Sequence, residues 1–295
     1  MSTPEHNSGS RTGVRMVDTG RMDSTGMNTS KGSTALDQSL KPPLKWAGGK
    51  RWLVSRVAEI WETHRKRRYV EPFCGGLAMS IGLQPETALL NDINSHLINF
   101  YQHLGRGLKV TLDMRNDESD YYSHRDSFNQ LIKRDGSQTA EAAQLFYYLN
   151  RTCFNGLCRF NQSGEFNVPF GSYKRINYVS DFYRYQKLFR NWTFSSSDLA
   201  ELKLEAHDFV YADPPYDVEF TTYSAGGFSW QDQVRTAELL AAHRGPVVLS
   251  NQATPRIVSL YKKLGFTLSY LNGPRRISCT GDRTDAREVL AVRGL

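Results

Sequence analysis

Short apolar segments alternate with segments of helical apolar spacing, and this alternation constrains the fold more than any other feature of the chain. The apolar segments lie within RRYVEPFCGG, ETALLNDIN, DFVYADPP and GPVVLSNQ. The helical segments include RWLVSRVAEIW, SWQDQVRTAELLAAH and TPRIVSLYKKLG. Strands that alternate with helices form a mostly parallel sheet covered on both faces. The sequence therefore predicts a doubly wound α/β domain.

The alternation is interrupted in the middle of the chain. Residues 95 to 107 and 137 to 150 have helical spacing, and residues 151 to 178 are rich in aromatic and turn-forming side chains. We therefore predict one α/β domain made of residues 41–103 and 181–295, with an inserted region at 104–180. Residues 1–40 are rich in Ser, Thr and Gly and have no apolar period, which predicts a disordered tail.

The net charge favours a polyanionic partner. The chain has 37 basic and 30 acidic side chains, a net charge of +7 and a pI near 9.2. Residues 1 to 37 contribute four of each sign, so the excess lies on the remainder of the chain. A nucleic-acid enzyme would have this distribution, although metabolic enzymes can be equally basic.

Cysteine usage and hydropathy indicate a cytoplasmic protein without a metal. The four cysteines form no CxxC pair, which gives no sign of a zinc site or of an oxidising compartment. The chain has no apolar signal-peptide core and no run of about 18 apolar residues, so we expect neither secretion nor a membrane-spanning helix.

Two predicted strand ends indicate a nucleotide-like ligand. Glu71 is followed by Gly75 and Gly76, where a backbone without Cβ lets a ligand approach the start of a helix. Asp92 ends the next strand, in the interval where nucleotide-binding folds place the acid that holds ribose hydroxyls. Two alternatives stay open here: an ordinary strand-to-helix turn, and Asp92 as the N-cap of a helix that starts at Asn94.

The segment Asp213-Pro214-Pro215-Tyr216 follows a third predicted strand. An amine conjugated to an aromatic base is a poor nucleophile, because its lone pair is delocalised into the ring. If Asp213 and the carbonyl of Pro214 accept its two N–H bonds, the nitrogen becomes more tetrahedral and can attack. Tyr216 would stack on the base after it leaves the duplex. The alternative is a rigid turn in which Tyr216 only covers the core.

These segments together resemble one family, the Dam-type DNA adenine-N6 methyltransferases. The resemblance extends over nearly the whole chain beyond the tail, through LKWAGGK, EPFCGG, NDIN, LNRTCFNGLCRFNQSGEFNVPFG, DPPY, LSN and AREVLAV. It implies a Rossmann-like S-adenosylmethionine-dependent methyltransferase sheet. The insertion is then a mainly helical target-recognition domain that carries a β-hairpin, with a turn at Ser163-Gly164.

The resemblance also implies roles for individual residues. The residues matched to the cofactor site are Trp46, Lys50, Glu71, Phe73, Gly75, Asp92 and Asp213. The catalytic loop is Asp213, Pro214, Pro215 and Tyr216. Residues that match positions reading or penetrating the DNA site are Lys45, Phe154, Asn155, Leu157 and Arg159. Arginine can bond guanine O6 and N7 bidentately, which suits Arg159. Phosphate contacts are predicted for Arg151, Lys174 and Arg175.

Two positions depart from the family pattern. Many members have a second glycine after an intervening residue in the cofactor turn, whereas here Gly75 and Gly76 are adjacent, as in some members. Phe154 stands where a tyrosine is common, so the hydrogen bond of that hydroxyl is missing.

The sequence thus predicts an enzyme that flips adenine out of duplex DNA and methylates N6, within GATC. We expect it to act as a monomer, with S-adenosyl-L-methionine and without a metal, in the cytoplasm of a bacterial cell or from a phage gene. Alternatives are cytosine N4, another DNA site or RNA, and a binding protein without catalysis. A cytosine-C5 mechanism is disfavoured, because the chain has no Pro-Cys dipeptide.

Overall fold

The computed structural model describes residues 40–217, 227–273 and 286–295. The tail predicted at residues 1–40 therefore lies outside the described residues, apart from Leu40.

The described residues form one seven-stranded sheet in the order β3-β2-β1-β4-β5-β7-β6. Its strands are β1 Tyr69–Glu71, β2 Ala88–Asn91, β3 Trp192–Ser195, β4 Phe209–Ala212, β5 Val247–Gln252, β6 Thr267–Gly273 and β7 Ala286–Arg293. The first five are parallel, and β7 runs antiparallel between β5 and β6. The predicted α/β class is confirmed, and the strand order reverses beside β1.

Alternate side chains of each central strand enter two separate apolar cores. Tyr69 and Tyr211 point to one face of the sheet, where they pack with residues of the inserted region. Val70 and Val210 point to the opposite face. Successive side chains of a strand project to opposite faces, so a sheet covered on both sides needs apolar residues at consecutive positions. This requirement explains why the strands appear as short, unbroken apolar runs in the sequence.

Eight α-helices occur among the described residues. They are α1 Val54–Trp61, α2 Ala78–Leu83, α3 Ser95–Gly105, α4 Glu118–Lys133, α5 Ala140–Thr152, α6 Tyr183–Leu188, α7 Trp230–Ala242 and α8 Pro255–Lys263. The two predicted helices of the middle segment correspond to α3 and α5. A capping box precedes α7, because Ser229 and Asp232 exchange side-chain and backbone hydrogen bonds.

The chain between β2 and β3 is mainly helical, and its helices pack through aromatic rings. Phe100 of α3 stacks on Tyr147 of α5 with ring centroids 5.4 Å apart. Phe128 of α4 lies 6.2 Å from Phe146 of α5. All four rings are buried in the same core as the central strands. The aromatic packing therefore joins the helices between β2 and β3 to the sheet that carries the candidate site.

The carboxyl ends of β1, β2 and β4 meet at one edge of the sheet, because these strands are parallel neighbours. They lead directly into the glycine turn, Asp92 and Asp213. Open α/β sheets bind ligands at this edge, beside the point where the strand order reverses. No helix within the described residues is long and apolar enough to cross a membrane.

Candidate active site

The glycine turn after β1 is covered by the indole of Trp46. Gly75 has φ +43°, and a Cβ built on Gly76 would lie only 2.6 Å from the Cβ of Trp46. Side chains larger than hydrogen therefore cannot be placed here unless Trp46 moves. The two adjacent glycines thus allow a close contact between the turn and the 44–50 segment.

Asp92 fixes the glycine turn through its carboxylate. Its Oδ2 accepts the N–H of Gly75 at 3.0 Å, and its Oδ1 accepts the N–H of Asn94 at 2.9 Å. Burial raises the pKa of Asp92, although the two backbone N–H groups partly offset this. A carboxylate has about four lone-pair sites, so acceptor capacity for ribose hydroxyls remains.

Asp92 is not the N-cap of α3. The cap is Asn94, whose side-chain oxygen accepts the N–H groups of His96 and Leu97 at 3.1 Å each. Asn94 therefore takes the N-cap role that the sequence left open for Asp92. The carboxylate of Asp92 binds the glycine turn instead.

Glu71 lies beneath the turn. It is only 3% exposed, and its Oε2 accepts hydrogen bonds from the hydroxyls of Tyr69 and Ser80. Burial raises its pKa to about 8, with the nearby charge of Asp213 acting in the same direction. In this conformation Glu71 supports the strand end, and its carboxyl group is satisfied by its own neighbours.

Asp213 is held by two side chains at the end of β4. Its Oδ2 lies 2.9 Å from Nζ of Lys50, which is 4% exposed. Its Oδ1 accepts the hydroxyl of Ser250 on β5 at 2.9 Å, and that hydroxyl lies 3.0 Å from the hydroxyl of Tyr211. Two of about four carboxylate lone-pair sites are thus used, which leaves sites for a further donor.

The two prolines after Asp213 present their carbonyl groups differently. Pro215 O accepts a hydrogen bond of 2.6 Å from Nε2 of Gln233. No donor within the described residues reaches Pro214 O, so this carbonyl remains an available acceptor beside Asp213. The far end of the loop is anchored by a bidentate ion pair between Asp217, which is 8% exposed, and Arg256.

Tyr216 lies in a charged environment. Nζ of Lys50 is 4.4 Å from the centre of its ring and 3.8 Å from Oε2 of Glu288. Burial raises the pKa of Tyr216 far above its ordinary value, and the charges of Asp213 and Glu288 add to the effect. The carboxylates of Asp213 and Glu288 therefore both lie close to the ammonium of Lys50, beside the ring of Tyr216.

Lys45 is tied to the end of α5 by its backbone. Asn150 accepts the N–H of Lys45 at 2.9 Å and donates to its carbonyl at 2.8 Å. Nζ of Lys45 donates to the carbonyl of Arg151 and lies over the ring of Tyr173. Burial, followed by the charge of Arg151, lowers the pKa of Lys45. We call this two-bond arrangement of Asn150 on Lys45 the Asn150 clamp.

The segment after α5 presents side chains to solvent. Phe154 is 49% exposed, and Asn155 beside it has φ +54°. Gly156 lies against Lys45, because a Cβ at Gly156 would be 2.4 Å from the Cβ of Lys45. Leu157 is partly buried. This stretch therefore adjoins the 44–50 segment at Lys45.

The predicted hairpin turn is present at residues 161 to 165. The N–H of Gly164 donates to the carbonyl of Asn161 at 3.0 Å, and Phe160 forms an antiparallel bridge with Phe166. Arg159 is exposed on this hairpin, where Nε and Nη2 donate to the side chain and carbonyl of Asn167. These bonds orient the guanidinium, while its remaining N–H donors stay available for an acceptor.

The sequence of this arrangement matches one family model, that of the D12 class N6 adenine-specific DNA methyltransferases, over residues 46–276. The chain belongs to this family. Residues 46–276 cover well over half of the chain and include β1, β2 and β4, whose carboxyl ends form the edge of the sheet described above.

Three relatives agree with this assignment to the D12 methyltransferases. The Retron Ec67 DNA adenine methylase of Escherichia coli is 34% identical over 85% of this chain and 90% of its own length. The type II methyltransferase M.MjaIII of Methanocaldococcus jannaschii is 33% identical over 83% and 95%. The DNA N-6-adenine-methyltransferase of Escherichia phage P1 is 34% identical over 89% of this chain, which spans 37% of that longer protein.

The structure brings the predicted residues of this D12 methyltransferase into two groups. Trp46, Gly75 and Asp92 form one end of the sheet-edge site, and Lys50, Asp213 and Tyr216 form the other. Lys45 adjoins the exposed segment that carries Phe154 to Arg159. Lys174 and Arg175 are exposed and make no hydrogen bond or ion pair with either group. Within the described residues, no cluster of three or more His, Cys, Asp or Glu is arranged to hold a metal ion.

Three residues that shape this site carry no prediction from the sequence. Ser250, Gln233 and Glu288 contact the loop after β4 or its lysine partner. Ser250 and Glu288 lay inside matched segments, LSN and AREVLAV, but had no assigned role. Gln233 is one polar residue in an amphipathic helix, and nothing in its local sequence marks it.

Proposed function

We propose that this D12 methyltransferase transfers a methyl group from S-adenosyl-L-methionine to N6 of an adenine that is flipped out of duplex DNA, within GATC. The observation that carries the proposal is the rigid loop after β4. It places the carboxylate of Asp213, an available carbonyl at Pro214 and the ring of Tyr216 next to one another.

The site has the features that the methyl donor requires. The glycine turn lets a ligand approach the backbone at the end of β1, and Asp92 retains lone pairs for ribose hydroxyls. Asp213 and Glu288 place two carboxylates beside this site, and carboxylates attract a sulfonium cation. Trp46 and Lys50 reach this site from the 44–50 segment.

The chain acts on the target amine through two acceptors. Asp213 and the Pro214 carbonyl accept the two N–H bonds of the amine, which directs its lone pair away from the ring and toward the methyl group. The bound cofactor supplies an electrophilic methyl whose C–S bonding pair returns to sulfur as the new N–C bond forms. The nitrogen then releases one proton to solvent by way of the Asp213 carboxylate that accepts its N–H, and Tyr216 holds the base by stacking throughout.

Target selection is assigned to two parts of the chain. One is Lys45, and the other is the segment from Phe154 to Arg159, which lies within the insertion at residues 104–180. Arg159 is exposed and oriented by Asn167, which suits bidentate contact with guanine O6 and N7. Lys45 reads the first guanine, and Phe154, Asn155 and Leu157 enter the duplex at the flipped base. Lys174 and Arg175 contact phosphates. The enzyme acts as a monomer on DNA in the cytoplasm.

The deciding experiment measures transfer of labelled methyl from S-adenosyl-L-methionine to two duplexes that differ only in GATC and GTTC, with Asp213→Ala as the blank. The expected result is transfer to GATC alone and none with the variant. Equal transfer to both duplexes would reject the assigned target sequence. Transfer to cytosine or to RNA, but not to adenine in duplex DNA, would reject the substrate.

A further inference from the structure

Gln233 of α7 is a buried polar residue that contacts the loop after β4. It is 1% exposed, and its Nε2 donates to the carbonyl of Pro215 at 2.6 Å. Its side-chain oxygen accepts from Nδ2 of Asn251 on β5 at 3.0 Å. A buried amide whose donor and acceptor are both used is costly to replace by an apolar group, because its partners would lose their hydrogen bonds.

The direction of these hydrogen bonds is set by the backbone. The N–H of Gln252 donates to Oδ1 of Asn251 at 2.8 Å, which turns Nδ2 of Asn251 toward Gln233 and toward the hydroxyl of Tyr261. The side-chain oxygen of Gln233 must then accept, so its NH₂ group must face Pro215. The network therefore gives Gln233 one defined role, that of a donor to the Pro215 carbonyl.

Between Asp213 and the backbone nitrogen of Tyr216, this bond fixes the one backbone torsion that the prolines leave free. The rings set φ of Pro214 and Pro215, and ψ of Pro214 is restricted because a proline follows it. No such restriction applies to ψ of Pro215, which determines where Tyr216 begins. Gln233 holds the carbonyl that defines this torsion. The position of the Tyr216 ring relative to Asp213 and Pro214 O therefore depends on Gln233.

We propose that Gln233 is a positioning residue for methyl transfer, which acts through the Pro215 carbonyl to align Tyr216 with the two acceptors of the target amine. The inference rests on the function proposed above for this loop. Gln233 touches neither substrate nor cofactor in this assignment. Its loss should therefore slow the chemical step and leave cofactor affinity unchanged.

The test compares Gln233→Met, which removes the donor at similar length, with Thr236→Val on the same buried face of α7. Thr236 is 3% exposed and makes no hydrogen bond to the described part of the loop. Single-turnover methyl transfer to a GATC duplex should fall about tenfold or more in Gln233→Met. It should stay within about twofold in Thr236→Val, and cofactor affinity by calorimetry should stay within about twofold in both. Equal rates in the two variants would overturn the proposal.

Crystal structures of the two variants give a readout that needs no activity. In Gln233→Met the Tyr216 ring should leave its position 4.4 Å from Nζ of Lys50, whereas in Thr236→Val it should stay there. An unmoved ring in Gln233→Met would refute the positioning role even if the wild-type enzyme is active. Conversely, a displaced ring would support it even if the wild type methylated no adenine, an outcome that would reject only the proposed function.

Gln233→Glu adds a pH signature. A protonated glutamic acid can donate to the Pro215 carbonyl, whereas a carboxylate cannot. The transfer rate relative to wild type should therefore recover as pH falls, while a role limited to fold stability would give a ratio independent of pH at temperatures well below unfolding.

Discussion

Nζ of Lys50 lies 2.9 Å from Oδ2 of Asp213, although 163 residues separate them in the chain. The contact joins the segment before α1 to the loop after β4. Both side chains are at least four-fifths buried, so solvent screens their attraction weakly. The 44–50 segment and the loop after β4 are therefore held together by a buried ion pair.

Removing the ammonium should destabilise the fold more than removing both charges. We expect Lys50→Met to lower the free energy of unfolding by about 3 kcal/mol, because it leaves the Asp213 carboxylate buried without its partner. The double variant Lys50→Met/Asp213→Asn should recover part of this loss. Urea denaturation of the two single variants and the double variant measures the coupling. Strictly additive losses would contradict the interaction.

Substitutions of Arg159 and Lys174 should affect DNA binding in different ways. Arg159→Ala should weaken the free energy of binding to the target duplex by roughly 1–3 kcal/mol and relax selectivity at one guanine, because the proposed bidentate base contact is lost. Lys174→Ala should weaken binding to all sequences alike and reduce the salt slope of the affinity by about one. Affinities for duplexes altered at single base pairs, measured at several salt concentrations, separate the two. A uniform loss for Arg159→Ala would make it a phosphate contact.

The raised pKa of Glu71 predicts that the wild type loses stability as pH rises. The carboxyl group has an ordinary pKa of 4.5 and a folded-state pKa of about 8, so between these values the folded protein holds a proton that the unfolded chain has released. Stability is then largest below about pH 4.5 and is lost as pH rises toward 8. Glu71→Gln should flatten this dependence. The free energy of unfolding of the variant, relative to that of the wild type, should therefore be about 3 kcal/mol higher at pH 8 than at pH 5.

The measurement for Glu71 is urea denaturation of both proteins at several pH values between 5 and 8. Ser80→Ala provides a control, because it removes a hydrogen bond to Glu71 but leaves the titrating group in place. Parallel pH profiles for wild type and Glu71→Gln would show that the Glu71 carboxyl group does not titrate as assigned.

Gly76→Ala should reduce cofactor affinity by displacing Trp46. A Cβ at Gly76 would lie 2.6 Å from the Cβ of Trp46, and the overpacking should weaken binding by about tenfold or more. Gly49→Ala, in the 44–50 segment that carries Trp46, is the control, because the nearest contact of its Cβ would be 3.7 Å away. Calorimetric titration with S-adenosyl-L-methionine compares them. Similar cofactor affinities for the two variants would contradict the assignment of Trp46 to the cofactor site.

The sheet could be predicted from the sequence because its central strands are buried on both faces. Tyr69–Glu71 and Phe209–Ala212 are short, but a proline follows each strand within two residues, and this local chemistry marks the edge of the site. The cap of α3 was harder to place, since Asp92 and Asn94 are both good N-cap residues. Only the folded backbone shows that Asp92 bonds Gly75 instead.

Contacts between distant segments could not be predicted in this way. Gln233, Ser250 and Glu288 reach the site from a helix and two strands whose local patterns indicate only burial. Their roles depend on the sheet order, in particular on β7 entering antiparallel between β5 and β6. A period of apolar residues carries no information about which polar side chain lies opposite a carbonyl in another segment.

The Asn150 clamp has a consequence for exchanging target specificity between relatives. Lys45 precedes the inserted region by some sixty residues, yet Asn150 within that region holds both backbone groups of Lys45, and Gly156 provides the space for its side chain. A chimera that imports residues 104–180 alone would pair a foreign amide and a foreign loop with the native 44–50 segment. If specificity resides where we propose, the transplantable unit consists of two pieces of chain, and a graft that omits the first piece would disturb both Lys45 and Trp46.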